Sequence, residues 1–259
     1  MSRLRLDRRR FLALSGAGAA GLLLSGCDAV SRAPWFRDLA GQTDKLTQAA
    51  QRLVLGPQTL AREFPESAIS SYFRANGNTD VANGIYHQFA RTEFVDYPLP
   101  VEGLVSRPKS FTMAELKAYP QRTQITRHDC VEGWSCIGKW TGPALAHVLN
   151  EVGLQPNARY VVFHCWDTFA TFSGSVPYYE SIDLEDAFHP QTILAHEMNG
   201  APLTIPHGAP LRLRVERQLG YKHAKFVRSI EVVESFDQIH GGQGGYYEDI
   251  NGYEWYAGI

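Results

Sequence analysis

Thr126-Arg127-His128-Asp129-Cys130-Val131-Glu132-Gly133-Trp134-Ser135-Cys136-Ile137-Gly138-Lys139-Trp140 is the densest run of polar and aromatic residues in the chain. Gln124 to Asp129 reads as a strand, which places Cys130 at a strand end, where sites commonly lie. On the C-terminal side, Thr141-Gly142-Pro143 is expected to open a helix with proline in its first turn. Leu145, Val148, Leu149 and Val152 share one face of that helix and Gly153 ends it. On the N-terminal side, Val101 to Val105 reads as a short strand, and Thr112 with Glu115 forms a capping box for a short helix. Arg159 to His164 has the continuous apolar texture of a buried strand, and Asp183 to Phe188 reads as a helical turn. Ile193 to Met198, Asn199-Gly200 and Ala201 to Ile205 read as a hairpin. Leu211, Leu213 and Val215 alternate with Arg212, Arg214 and Glu216 as a half-buried strand would, and Phe226 to Val233 is another strand. Several strands with interspersed short helices imply a mixed, β-rich α+β domain rather than a doubly wound sheet.

The chain has 259 residues, 44% of them apolar and 12% aromatic. That is enough for one large domain or two small ones. The formal charge of -2 hides an asymmetry. Arg3, Arg5, Arg8, Arg9 and Arg10 precede Gly26 with only Asp7 against them, which leaves 20 basic and 26 acidic residues in the remainder. A remainder of that sign is a poor general nucleic-acid binder. Cys27, Cys130, Cys136 and Cys165 contain no C-x-x-C pair. This argues against a disulfide scaffold, a zinc ribbon and c-type haem attachment.

The first residues read as an address. A basic segment precedes an uncharged stretch from Phe11 to Gly26, which is too short for the ~20 residues of a spanning helix. Asp7-Arg8-Arg9-Arg10-Phe11-Leu12 resembles the twin-arginine export motif, and Leu24-Ser25-Gly26-Cys27 resembles a lipobox. The expectation is a periplasmic enzyme carried folded by the twin-arginine route and held at the membrane surface through lipidated Cys27, with Asp28 favouring the inner membrane. Folded export directs attention to a cofactor site. The expected organisation is an export signal with lipobox over 1–26 and a linker and peripheral helix over 27–65, with Leu39, Leu46 and Leu53 recurring. A catalytic domain over 66–236 and a Gly- and Tyr-rich tail over 237–259 complete it.

Cys130 is open to three readings: a thiol nucleophile, a soft metal ligand, or a buried inert thiol. His128, two residues away on the same strand face, could lower the thiol pKa. Gly133, Ser135 and Gly138 miss the G-x-S-x-G spacing because Ile137 stands where glycine is needed, which removes a serine hydrolase. Cys136 and Cys165 lie among apolar residues and read as core. Arg212, Arg214, Arg217, Lys222, His223, Lys225 and Arg228 fall within seventeen residues, opposed only by Glu216. Composition alone favours a solvated strand face over an anion site. Gly220-Tyr221-Lys222 would let backbone amides approach a phosphate, although no P-loop is present. His128, Asp129, Trp166, Asp167, Tyr178 and Tyr179 are further pocket candidates, each with a structural reading beside it. A soft thiolate, a phosphate-type cationic strand and folded export together fit a metal carried by an organic phosphate.

Cys130-Val131-Glu132-Gly133-Trp134-Ser135, His207-Gly208-Ala209-Pro210-Leu211-Arg212-Leu213 and Gly220-Tyr221-Lys222-His223-Ala224-Lys225, in this order, resemble the sulfite-oxidase-type molybdopterin domain. The resemblance is to its small bacterial periplasmic members, among them methionine-sulfoxide reductase catalytic subunits, and runs from about Tyr72 to Ser235. It implies a molybdenum–molybdopterin cofactor with Cys130 as metal ligand and catalytic centre. Arg212, His223, Ala224 and Lys225 match positions that hold the pterin phosphate. His207 and Cys165 match pterin-contacting positions that are Asn and Thr in those reductases, and Phe73 and Arg74 match an aromatic pair near the pterin. The implied activity is two-electron oxygen-atom transfer on a small sulfur- or nitrogen-oxo compound, of sulfite or sulfoxide type. A non-catalytic module and a metal-free thiol enzyme are the alternatives. The expected partners are a small-molecule substrate and a cytochrome-type redox protein, one at the membrane among them. The expected architecture lacks the family's immunoglobulin-like dimerisation domain and is monomeric.

Overall fold

The computed structural model describes residues 46–56, 58–171 and 174–259. The twin-arginine motif, the lipobox, Cys27, Asp28 and Leu39 lie outside the described residues. The chain divides into two units at Val54/Leu55. In the first, the described residues are helical, with Leu46, Leu53 and Val54 exposed. Among those residues no helix is long and apolar enough to cross a membrane.

Among the described residues, the second unit is built on three sheets. In the first, β1 (Pro98–Gly103), β2 (Lys109–Thr112), β5 (Tyr160–Thr171), β6 (Gly174–Asp183) and β11 (Val227–Val233) run in the order β2-β1-β11-β5-β6. The β1/β11 pair is parallel and the others antiparallel. Val161, Val162 and Phe163 of β5 are all fully buried. A run without alternation means that both sheet faces are covered. One cover is α3 (Leu145–Val152), whose Leu145, Val148, Leu149 and Val152 are all fully buried, as the i, i+3, i+4, i+7 spacing predicts. Each such side chain contributes roughly 1.5–3 kcal/mol by leaving water. The capping box forms as expected: Thr112 and Glu115 satisfy each other's backbone at the start of α2 (Met113–Ala118).

The second sheet, β3 (Gln121–Asp129), β4 (Ser135–Pro143), β8 (Glu197–Met198) and β9 (Ala201–Pro202), is antiparallel. Asn199 and Gly200, both at positive φ, make the turn between β8 and β9. The third sheet is the pair β7 (Ile193–Ala195) and β10 (Arg212–Arg214). The helix expected from Thr141 begins later. Thr141, Gly142 and Pro143 pair with Thr123, Arg122 and Gln121, so β4 keeps them extended and α3 starts at Leu145. Gly142 has a separate role: a Cβ there would lie 2.1 Å from the Leu194 carbonyl oxygen, so only glycine lets β4 cross β7 this closely.

Two terminal segments join this unit. Phe64 N–H donates to Ile125 O, and Glu63 bridges Thr126, so 63–64 runs beside β3, while Ala61 bonds to the Gln191 side chain. Beyond residue 237, the tail folds back through α5 (Tyr246–Asn251). Leu219 N–H donates to Ala257 O and Ile259 N–H to Arg217 O.

Candidate active site

The β3–β4 hairpin presents Cys130 in its loop. Asp129 pairs with Ser135 as the last strand pair, then Cys130 N–H donates to Trp134 O (3.0 Å) and Gly133 N–H to Cys130 O (3.0 Å). Gly133 sits at φ 84, a conformation that suits glycine at this turn. Cys130 is half-buried and lines a cavity of about 160 Å³. Burial pushes its thiol up, as does the Glu132 carboxylate, while a backbone hydrogen bond at Glu132 and the cations Arg74 and Arg212 pull the other way.

Asn76, Asn78, Asp167, His223 and Lys225 line the same cavity. The Asp167 Oδ2 accepts from Asn78 Nδ2 (3.0 Å), and its Oδ1 is buried with no partner among the described residues. Burial raises the Asp167 pKa to about 6, against the pull of Asn78 and Lys225.

The cationic run is not a solvated face. Arg212 and Arg214 are 0% exposed, and Lys222, His223 and Lys225 are buried with them. Alternation along Leu211–Glu216 therefore separates two buried faces, one apolar and one charged. Arg214 is balanced by Glu216 through two parallel hydrogen bonds (Nε–Oε1 2.9 Å, Nη2–Oε2 2.6 Å) and lies over the Trp140 ring. Lys222 is held by Glu180 and Glu248, each at 2.6 Å. Arg212 and Lys225 are different: among the described residues neither has a carboxylate within ion-pair distance. Arg212 donates to Asn76 Oδ1 (2.8 Å) and more weakly to His207 O (3.4 Å), lies over Trp140, and leaves its Nε unpartnered. Burial, then Arg214, bring its pKa down to about 9. Lys225 donates to the carbonyls of Asn78 and Pro206, and burial, then Arg212, lower it to about 7.

Buried cations without counter-ions are costly unless an anion completes the site. The unpartnered Arg212 Nε, and Lys225 with Asp167 acting on it only from beyond ion-pair distance, thus fit a phosphate-bearing cofactor. His223 donates from Nε2 to Gln218 O (3.0 Å) and leaves Nδ1 unpartnered. A neighbouring phosphate would favour a proton on that nitrogen.

His128 does not activate Cys130. It is fully buried, and its Nδ1 lies 3.0 Å from Arg214 Nη1. Arginine only donates, so His128 Nδ1 is the acceptor and its proton sits on Nε2. Burial, with Arg212 and Arg214 nearby, holds the imidazole neutral. Gly220 packs against this ring: a Cβ there would fall 2.5 Å from His128 Nε2.

Among the other expected residues, Ala224 is buried and its carbonyl accepts from Leu213 N–H (2.8 Å). Phe73 is buried against Trp140, His128 and His207, outside the cavity lining. Arg74 is exposed, lies over the Trp134 ring and meets Glu132 at 3.6 Å. His207 has both nitrogens engaged, by Thr204 and by Phe73 O. Cys165 is buried away from the cavity lining, its thiol facing Phe163 O at 3.9 Å. Of the further candidates, Asp167 and Tyr178 line the cavity. Trp166 instead donates to Tyr97, Tyr179 to Asp249, and Asp129 holds Arg127 and Ser135. Lining residues that the sequence reading missed are Asn76, Gly77, Asn78 and Phe169, and from the tail Tyr247 and Tyr253. The available signal was the bunching of Tyr246, Tyr247, Tyr253 and Tyr256 near the C-terminus.

The family model for the oxidoreductase molybdopterin binding domain matches residues 87–240. The chain belongs to this family. A candidate protein-methionine-sulfoxide reductase subunit, YedZ1, of Azospira oryzae is 36% identical over 254 residues, covering 97% of this chain and 87% of its own. The protein-methionine-sulfoxide reductase catalytic subunit MsrP of Ralstonia nicotianae is 29% identical over 263 residues, covering 95% and 76%. Among solved structures, the sulfane dehydrogenase SoxCD of Paracoccus pantotrophus aligns over 54% of this chain and 39% of its own, at 25% identity and a TM-score of 0.47. The chain is therefore a molybdenum-dependent oxidoreductase of the sulfite-oxidase type, with molybdenum–molybdopterin as its cofactor. Among the described residues no group of three His, Cys, Asp or Glu side chains is placed to hold a metal ion.

Proposed function

We propose that the chain reduces a sulfoxide to the thioether, R2SO + 2 e⁻ + 2 H⁺ → R2S + H2O, at a molybdenum whose protein ligand is the Cys130 thiolate. When bound, the cofactor supplies the two-electron couple that accepts the oxygen atom. The chain's own residues hold and orient it. Arg212 and Lys225 take the phosphate, and Cys130 offers a single soft donor from a tightly hydrogen-bonded loop. Tyr178 and Tyr221 wall the cavity, and the Tyr178 hydroxyl is fixed by donation to Tyr221 O. The observation that carries this reading is that the Cys130 thiol shares one cavity with Lys225, a buried cation without a carboxylate at ion-pair distance among the described residues, while Arg212, likewise unpaired, meets the lining through Asn76. The direction of turnover is supported by the names of the two methionine-sulfoxide reductase relatives. A metal-free thiol enzyme is disfavoured because His128, the base that the sequence sets beside Cys130, is committed to Arg214.

Further parts of the reading rest on sequence. The Arg8-Arg9 motif supports folded export to the periplasm, and the lipobox at Cys27 supports a membrane-anchored form. Electrons would then come from a separate cytochrome-type partner, for which a membrane protein is the best-placed source. The test is Cys130→Ser in a molybdenum-competent host. Sulfoxide turnover should vanish while pterin content largely persists, because a serine oxygen is a hard, poorly ionised donor. Wild-type turnover in this variant would remove Cys130 from the reaction.

A further inference from the structure

The tail places aromatic rings in the cavity. Tyr247 and Tyr253 stack on each other, with ring centroids 5.3 Å apart and planes 17° from parallel, and both line the cavity that holds Cys130. Tyr221 meets Tyr253 edge-on at 5.2 Å, and Tyr178 meets Tyr247 edge-on at 6.0 Å. Tyr253 is 37% exposed and the neighbouring lining residue Val131 is 41% exposed, so this is the mouth of the cavity. The cationic groups Arg212 and Lys225 are buried. Polar cofactor recognition and aromatic surface thus occupy different parts of one site.

The wall is held in place. Lys222 pairs with Glu248 on α5, one residue after Tyr247, and the Tyr221 hydroxyl donates to Glu254 O (2.6 Å), one residue after Tyr253. The family model ends at residue 240, so both tyrosines lie beyond the segment that it matches.

We infer that the stacked Tyr247–Tyr253 pair is the specificity wall of the active site and holds the apolar substituent of a thioether sulfoxide. This inference rests on the sulfoxide reading above. A sulfoxide joins one polar oxygen to apolar arms and a polarisable sulfur, and ring faces attract both sulfur and C–H groups. A substrate with an aryl or long alkyl arm gains from such a wall. Dimethyl sulfoxide, with two methyl groups, gains little, and inorganic sulfite has no apolar arm to offer.

The test uses cofactor-loaded enzyme with Tyr247→Leu, Tyr253→Leu and the two corresponding Phe variants. Each Leu variant should lower kcat/KM for methyl phenyl sulfoxide about tenfold relative to that for dimethyl sulfoxide, mainly through KM. Inhibition by the product, methyl phenyl sulfide, should weaken in step, and the Phe variants should keep the wild-type ratio. Molybdenum content per chain should match wild type. An unchanged ratio in active, fully loaded Leu variants would overturn this inference alone. Loss of molybdenum from them would assign the tyrosines to cofactor retention and overturn it as well. A loaded wild-type enzyme inert toward every sulfoxide would overturn the functional reading and this inference together.

Discussion

Replacing Lys222 by Met should uncouple the tail from the domain. Lys222, Glu180 and Glu248 are all essentially unexposed, and the ammonium bridges one carboxylate on β6 and one on α5. Burial works against the charge on Lys222, but Glu180 and Glu248 outweigh it and raise its pKa. Burial, then Glu248, push the Glu180 carboxyl well above its usual range, with Lys222 pulling it back. Methionine fills similar volume and removes the only positive member, which leaves two carboxylates facing each other without water. Removing one partner of a buried ion pair typically costs about 3–5 kcal/mol. At roughly 2–4 °C per kcal/mol for a domain of this size, the melting temperature should fall by about 6–20 °C. The pH dependence carries the sign. Because Glu180 is held above its unfolded value of 4.5, the folded protein keeps a proton that the unfolded chain releases. Its contribution is complete below that value and is lost as pH rises toward the folded pKa. Without Lys222 the folded pKa rises further, so the loss should be larger at about pH 8 than at about pH 5. Thermal melts of both proteins across that range decide the matter. A drop below about 3 °C, or one independent of pH, would refute the argument that this triad is a dry electrostatic clasp.

Arg212→Ala and Lys225→Ala should each reduce molybdopterin occupancy about tenfold or more, the equivalent of one desolvated charge-assisted contact at ~1.5–3 kcal/mol. Metal and pterin analysis of the double variant reads this directly, and full content would show the pair to be unnecessary. Asp167→Asn should melt with wild type below the ordinary carboxylate value of 3.8 and above it once pH passes about 6, because the wild-type protein must then ionise a buried carboxyl. Cys27→Ala should shift the protein from the membrane to the soluble fraction or leave it uncleaved. Lys at both Arg8 and Arg9 should trap loaded enzyme in the cytoplasm, and cell fractionation separates these outcomes.

Local signals were legible wherever partners are near in sequence. The Thr112–Glu115 box, the Asn199-Gly200 turn and the apolar face of α3 each involve residues within about two helical turns or one hairpin. The Thr141-Gly142-Pro143 signal failed because pairing with Gln121–Thr123 overrode a local helix start. The cationic run was misjudged for a similar reason. Alternation shows that two faces differ, but it does not show that both are covered. Arg212 finds Asn76, and Lys222 finds Glu180 and Glu248, through contacts that no local window contains. His128 shares strand parity with Cys130, yet the strand stops at Asp129, and Arg214 captures the ring. The motifs around Cys130, Arg212 and Lys225 pointed to the candidate site. The tyrosine wall stayed hidden because nothing in the tail's own sequence says where it docks.

The tail's return to the cavity also bears on when the site can be filled. Asn76, Cys130, Lys225 and Tyr253 border one space but leave the ribosome far apart, and β1 needs β11 before its parallel pair can close. Contacts this distant form late, after long loops have closed. The enclosure therefore cannot exist on a nascent chain, and a bulky organic ligand has its widest entry while the last residues are still undocked. Loading before the tail docks would then meet the widest opening, with docking completing the aromatic rim of the cavity.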